Sequence, residues 1–133
     1  MSLKTLMIIK SVVCLAFGIL LLAAPSFGYS IFGGSLSEGV GIFAARQYSS
    51  ALIGTMLLTW FARNVAESPA RNAIILYLFV YDALGAVITV IATLSGVFGL
   101  MGWSIVALYG LLAIGFGYFL FAKPAPVVQP KPV

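Results

Sequence analysis

Residues 74–94, IILYLFVYDALGAVITVIATL, decide the fold of this chain. Asp82 is the only member of this stretch that carries a charge at neutral pH, and most of the other side chains are apolar or small. A bilayer core about 30 Å thick is crossed by about 20 mostly apolar helical residues. An ionised group at that depth costs about 2.5–3.5 kcal/mol on insertion scales. The stretch therefore predicts a membrane-spanning helix that keeps Asp82 for function or for packing.

The composition extends this prediction to the whole chain. Of its 133 residues, 62% are hydrophobic and only 8% are charged, whereas a soluble domain has about 25% charged residues. Four long apolar stretches are present, and they are unbroken rather than alternating, which favours helices over barrel strands. We predict an all-α membrane protein, a four-transmembrane-helix bundle over residues 1–122, followed by a Pro-rich cytoplasmic tail, 123–133. The predicted spans are 5–24, 41–62, 73–94 and 102–122.

The formal charge of +4 is distributed unevenly along the chain. Six of the seven basic residues fall on one side of a four-span topology, and only Arg46 falls on the other. The positive-inside rule then predicts that both termini are cytoplasmic, in a multi-pass protein of a bacterial cell inner membrane. The basic excess is explained by topology, so a nucleic acid is not an expected partner. The cytoplasmic set is Lys4, Lys10, Arg63, Arg71, Lys123 and Lys131.

Local signals predict how the spans are connected. Residues 25–40 are rich in glycine and serine, which indicates a turn-rich outer connection. Ser35 followed by Glu38 matches a capping box for the second span, although Glu38 is equally explained as a solvated loop charge. Ser68 and Pro69 read as the N-cap and first residue of the third span. We therefore expect the second and third spans to form a tight antiparallel hairpin.

Small and polar side chains recur on the third span at intervals of three and four residues. This spacing places them on one helix face with Asp82, and that face must meet protein or water. In one interpretation Asp82 exchanges a proton or meets a cation in a polar cavity. In the other it is bonded to hydroxyl groups or to a basic residue and fixes helix packing. The face comprises Asp82, Gly85, Ala86, Thr89, Ala92, Thr93 and Gly96; we expect Leu78, Val87, Val90 and Ile91 to face lipid.

Lys10 and Arg46 are the basic candidates for pairing with Asp82. At about 1.5 Å per helical residue, Lys10, Asp82 and Arg46 lie about 9, 16 and 26 Å from the cytoplasmic boundary. Each offset is near the limit of a long side chain. Helical side chains lean toward their own N-terminus, so Arg46 leans away from Asp82. This favours Lys10, through a bridging water rather than by direct contact.

The first half of the second span is unusually polar. Arg46, with Ser49 and Ser50, would line a vestibule for an anionic or hydroxylated ligand, or Arg46 would extend to the outer headgroups. Ser50 and Gly54 have the spacing of small residues at a helix contact. The candidate functional or packing residues are Asp82, Arg46, Lys10, Ser50 and Thr89.

Residue types that enzymes depend on are scarce. Histidine, the commonest metal ligand, is absent from the sequence. The single cysteine, Cys14, does not suffice for zinc or an iron–sulfur cluster and is expected to be a small core residue. The predicted spans contain no pair of carboxylates. We therefore expect no catalytic residues, no metal site and no cofactor, and the chain is predicted not to be an enzyme.

Several short motifs give the first 122 residues a familiar layout. They resemble small bacterial four-helix membrane proteins that are grouped as domains of unknown function or as DoxX-like. The resemblance implies a four-helix membrane fold and brings no established activity. The residues that carry it are Lys10, Ala45-Arg46, Trp60-Phe61-Ala62-Arg63, Asp82-Ala83-Leu84-Gly85, Gly102-Trp103 and Gly115-Phe116-Gly117-Tyr118.

Two functions are compatible with these features. The first is a non-catalytic accessory, assembly or structural subunit that lies in the lipid bilayer and packs against a larger membrane complex or another copy of itself. The second is an oligomeric proton-coupled small-solute carrier that uses the intramembrane Asp82. An oligomer is expected for a carrier because four helices enclose little space.

Overall fold

The computed structural model describes residues 1–122, which form five α-helices and no strand. The predicted all-α class is therefore confirmed, while the predicted tail, 123–133, lies outside the described residues. Three helices, α1, α4 and α5, are long and apolar enough to cross a membrane. The helices are α1 (Leu3–Ala23), α2 (Pro25–Ile31), α3 (Val40–Ala62), α4 (Pro69–Leu94) and α5 (Gly102–Phe121).

Helix α3 has the length of a span but not the same apolarity. It contains 23 residues, about 35 Å at 1.5 Å per residue. Its first half includes the polar run Arg46-Gln47-Tyr48-Ser49-Ser50, which keeps its hydropathy below that of the other three long helices. The fourth membrane crossing stays a prediction.

The connection predicted as a turn-rich loop is partly helical. Pro25 begins the short helix α2, where its missing N–H costs nothing. Gly28 lies so close to α1 that a Cβ there would be 2.9 Å from Leu21 Cδ2. The predicted capping box is wrong, because α3 begins only after Gly39, whose φ of 74° favours glycine, and it has no side-chain cap among the described residues. Glu38 therefore lies outside the first turn of α3.

The N-terminus of α4 agrees with its prediction. Ser68 has an extended backbone, and its Oγ accepts a hydrogen bond from Arg71 N at 3.2 Å. Pro69 follows as the first helical residue. The start of this helix is therefore fixed by local sequence.

The helices pack as two close pairs, α1 with α3 and α4 with α5. Helices α3 and α4 follow each other in the chain but make little close backbone contact, so the expected tight hairpin is wrong. They are linked instead by side chains, such as the 2.9 Å hydrogen bond between Thr55 Oγ1 and Tyr77 Oη. Tyrosine rings between α3 and α4 hold the two backbones apart.

The core has an apolar cluster at the end of the bundle marked by Lys4, Arg63 and Arg71, which we call the basic end. Leu78 belongs to this cluster and is fully buried, so its predicted lipid exposure is wrong. It lies one turn before Asp82 and therefore shares its inward face. Val87 and Ile91 are exposed, as expected. The cluster consists of Leu3, Leu6, Met7, Ala62, Ile75, Leu78, Leu112 and Phe116.

Candidate functional site

A buried ion pair joins α1 to α4 near the middle of the bundle. Lys10 Nζ donates a hydrogen bond directly to Asp82 Oδ1. The two residues are 1% and 0% exposed. The preference for Lys10 as the partner agrees with this geometry, but the expected water bridge is wrong. The flexible four-carbon stem of lysine spans the difference in depth between Lys10 on α1 and Asp82 on α4.

The two charged groups of the pair have different surroundings. Lys10 Nζ lies 4.6 Å from the centre of the Tyr81 ring and 5.7 Å from that of Tyr109, where the faces of the rings stabilise a cation. Asp82 Oδ2, in contrast, is buried and has no hydrogen-bond partner among residues 1–122. The cation thus lies against two rings, while one carboxylate oxygen keeps unused accepting capacity.

Three tyrosine hydroxyls from three helices meet beside this pair. Tyr81 Oη on α4 donates to Tyr48 Oη on α3 at 3.0 Å. Tyr48 Oη also shares a hydrogen bond with Tyr109 Oη on α5. Two hydrogen bonds among three hydroxyls leave one O–H proton without an acceptor inside the cluster. The tyrosine cluster, Tyr48, Tyr81 and Tyr109, therefore holds a spare donor.

Above the tyrosine cluster lies a cavity of about 560 Å³. It is bounded by residues of all five helices and by Val97 and Phe98 of the α4–α5 connection. Stacked rings close its far end, with centroids 5.9 Å apart for Tyr29 and Phe98. Burial raises the pKa of the Tyr29 hydroxyl above its usual value, so Tyr29 stays neutral. The polar side chains on the cavity wall are Lys10, Tyr29, Tyr48, Tyr81, Thr89 and Tyr109.

The face of α4 that carries the small and polar residues around Asp82, which we call the α4 stripe, makes room for Tyr109. A Cβ on Gly85 would lie 2.8 Å from the Tyr109 ring. The threonines of the stripe bond within their own helix: Thr89 Oγ1 donates to Gly85 O at 2.7 Å, and Thr93 Oγ1 donates to Thr89 O at 2.8 Å. The stripe therefore seats Tyr109 against α4, and Thr89 offers the cavity a hydroxyl whose proton is already used.

Arg46 and Ser50 lie outside this cavity. Both are exposed; Arg46 Nε donates to Leu22 O at 3.3 Å, and Ser50 Oγ donates to Gln47 O at 2.7 Å. Ser49 faces the opposite way and is buried, donating to Gly18 O at 2.7 Å. The three residues therefore do not line one vestibule, because Ser49 points away from Arg46 and Ser50. The extension of Arg46 to the outer headgroups, the other interpretation, stays a prediction.

Sequence reasoning missed the tyrosine cluster. Aromatic residues in a membrane protein are expected at the headgroup level, but Tyr48, Tyr81 and Tyr109 lie within their helices and well away from the helix ends. Their positions inside the predicted spans are visible in the sequence and indicate that they do not lie at the headgroup level. The sequence does not show that the three hydroxyls meet, because this depends on how three helices are rotated about their axes.

No family model, characterised protein or solved structure matches this chain. The resemblance to DoxX-like proteins stays a prediction from the sequence layout.

Proposed function

We propose that the chain is a non-catalytic inner-membrane protein that packs against another membrane protein as an accessory, assembly or structural subunit. It crosses a bacterial inner membrane four times, keeps both termini in the cytoplasm and belongs with the DoxX-like four-helix proteins. Three apolar helices and the 23-residue length of α3 support the four crossings. The clustering of basic residues toward one end of the bundle supports the orientation.

The observation that carries the proposal is the outward face of α3. Its exposed positions recur at intervals of three and four residues, so they form one continuous face. In lipid, amide and small side chains on such a face stabilise contact with another helix, through hydrogen bonds and close backbone approach. A Cβ on Gly54 would have nothing described within 4 Å, so this position is open to a partner. The face consists of Phe43, Gln47, Ser50, Gly54, Leu57 and Phe61.

The ion pair supports a structural role for Asp82. Lys10 and Asp82 are both buried and neutralise each other across α1 and α4. A buried pair of this kind fixes the register between elements, because either charge is costly to leave alone. The pair therefore holds the bundle in one arrangement for the partner that α3 contacts.

The experiment is purification in mild detergent, followed by identification of the membrane proteins that stay bound. We expect the wild-type chain to carry a stoichiometric partner or second copy, and Gly54→Leu to lose it. Gly110→Leu is the matched control, since Gly110 also has nothing described within 4 Å of a Cβ position but lies on α5. Free wild-type protomer, or equal loss from both variants, would contradict the proposal.

A carrier that uses Asp82 is the second candidate, and two features favour it. The cavity lies beside the ion pair, and Asp82 Oδ2 has no described partner. Asp82→Asn removes the charge and keeps the shape. Solute flux in vesicles that depends on pH and disappears in Asp82→Asn would establish the carrier. Poor assembly of the variant, with no flux in either protein, would favour the structural role.

A further inference from the structure

The cavity has the size and the lining of a small-molecule site. Its volume of about 560 Å³ falls within the range of about 300–1,000 Å³ that is typical of ligand pockets. Most of its wall is apolar. Lys10 and the tyrosine cluster form its polar end, and Tyr29 lies at the far end. Apolar cavities stay dry and take up apolar molecules; one of about 150 Å³ is large enough for benzene. The body of a suitable ligand is therefore apolar.

The cavity opens sideways. Leu84 and Ile88 line it, yet they are 57% and 65% exposed on the outer surface of α4. Its far end is covered by α2 and by Phe98. Phe17 of α1 stacks there on Phe32, the residue that follows α2, with centroids 6.0 Å apart. On a membrane-spanning helix such as α4, the exposed surface faces acyl chains. The ligand therefore enters from the bilayer.

The polar end of the cavity offers a hydrogen-bond donor. The tyrosine cluster has three O–H protons and uses two of them internally. The third proton belongs to Tyr48 or Tyr109, depending on which of these two donates to the other. In a low-dielectric site an unpaired donor is costly, and an oxygen atom on the ligand would satisfy it.

The charges at this end disfavour an ionised ligand. Lys10 and Asp82 sum to zero, and the neutral tyrosines add nothing. A carboxylate ligand would give up its hydration and meet only Lys10, a cation that Asp82 already neutralises. The oxygen on the ligand is therefore carried by an uncharged group.

We propose that this cavity binds a neutral, apolar molecule from the membrane, whose carbonyl oxygen accepts a hydrogen bond from the tyrosine cluster. The site is independent of the partner face on α3, so it holds whether or not the chain works as a subunit. The tyrosine cluster selects the ligand by its oxygen, and the apolar wall selects it by shape.

The test uses prodan, a neutral naphthyl ketone whose fluorescence reports the polarity around it. We expect saturable fluorescence with the purified full-length protein, above the signal from empty detergent micelles. Three competitors then separate the requirements: acetylnaphthalene has a carbonyl, ethylnaphthalene has the same shape without it, and naphthoate is ionised. Acetylnaphthalene is expected to displace prodan at concentrations about 2–10-fold lower than ethylnaphthalene, the effect of one net hydrogen bond. Naphthoate should be the weakest competitor for prodan.

Two sets of variants link this binding to the site. Replacing Tyr48, Tyr81 and Tyr109 together with Phe keeps the rings and removes the donors, so the preference for acetylnaphthalene over ethylnaphthalene should vanish while ethylnaphthalene still binds. Leu84→Trp obstructs the opening and should weaken prodan binding. Val87→Trp is its matched control, because Val87 has the same 57% exposure on α4 but is not part of the cavity wall. Thermal unfolding identifies any variant that fails to fold.

Three results would overturn the proposal. The first is the absence of a saturable prodan signal in the wild-type protein. The second is equal displacement by acetylnaphthalene and ethylnaphthalene, or stronger displacement by naphthoate. The third is equal weakening by Leu84→Trp and Val87→Trp when both proteins are folded.

Discussion

The two ends of the bundle are packed differently, although the same four long helices run through both. At the basic end, Leu78 and Phe116 are fully buried in a continuous apolar cluster. At the opposite end, which we call the cavity end, the helices enclose a cavity of about 560 Å³ beneath α2 and the α4–α5 connection, residues 95–101. The boundary between the two is the layer formed by Lys10–Asp82 and the tyrosine cluster. One helix arrangement thus contains both a closely packed core and a cavity.

Side-chain size explains the difference. Helices in a membrane gain little from the hydrophobic effect, so small residues decide how closely they approach. At the basic end, a Cβ on Gly115 would lie 2.9 Å from Leu6 Cδ2, and one on Gly117 would lie 3.1 Å from the Phe79 ring. In the boundary layer, the rings of Tyr48 and Tyr81 lie between α3 and α4. The tyrosine rings in the boundary layer therefore keep α3 and α4 apart at the end of the bundle that holds the cavity.

The largest effect is expected from breaking the boundary layer. Lys10→Met leaves Asp82 buried without its counter-ion, and we expect a loss of about 3–5 kcal/mol in the free energy of unfolding. The double variant Lys10→Met with Asp82→Leu removes both charges and should recover most of that loss. Reversible unfolding in mixed detergent measures all three proteins. A double variant as unstable as the single one would show that the pair does more than neutralise charge.

The next effect compares core substitutions at the two ends. Leu78→Ala leaves a void in the packed cluster, and we expect a loss of about 2–4 kcal/mol. Leu21→Ala removes the same atoms from the cavity wall, where the side chain already has open space on one side. Its loss should be smaller by about 1 kcal/mol or more, because the cost depends on the void created. Equal losses in the same unfolding assay would mean that the cavity closes around Leu21 in solution.

A smaller effect is expected when leucine replaces a glycine at a close helix contact, compared with a glycine on an open helix surface. A Cβ on Gly18 would lie 2.9 Å from Ile53 Cγ1, between α1 and α3. Gly18→Leu should therefore cost about 1–3 kcal/mol by overpacking. Gly54→Leu, on the outer surface of α3, should leave the unfolding free energy of the isolated protomer unchanged. Comparable damage from both would show that α3 is rotated differently about its axis.

Local signals allowed part of this architecture to be predicted from sequence. Ser68 and Pro69 define the start of α4, because capping depends on residues three positions apart. Lys10 was preferred over Arg46 as the partner of Asp82 because helical rise and side-chain lean are known without a structure. The first inference depends on geometry within one helix, and the second on helical rise together with the predicted order of the spans. They required no knowledge of how the helices pair.

The remaining features depend on contacts between distant parts of the chain. Tyr48, Tyr81 and Tyr109 meet only because three helices adopt particular rotations, which no local pattern reports. Helix α2 is similar: its glycine and serine content indicates turns, but Gly28 packs on Leu21 and stabilises a helical turn there. The sequence pattern places Leu78 toward lipid because it defines the inward face by small and polar residues only. Buried apolar residues share that face.

The smallest effect tests the two helix starts that sequence reasoning treated alike. Ser68 Oγ accepts a hydrogen bond from Arg71 N, so Ser68→Ala should cost about 1 kcal/mol. Ser35 was predicted to cap α3 in the same way, but α3 begins at Val40, and Ser35→Ala should cost nothing measurable. Both serines lie in connections between long helices and are replaced by the same residue, so the unfolding assay compares the caps directly. A loss of about 1 kcal/mol from Ser35→Ala would place the true start of α3 before Gly39, and it would restore the capping box at the cavity end.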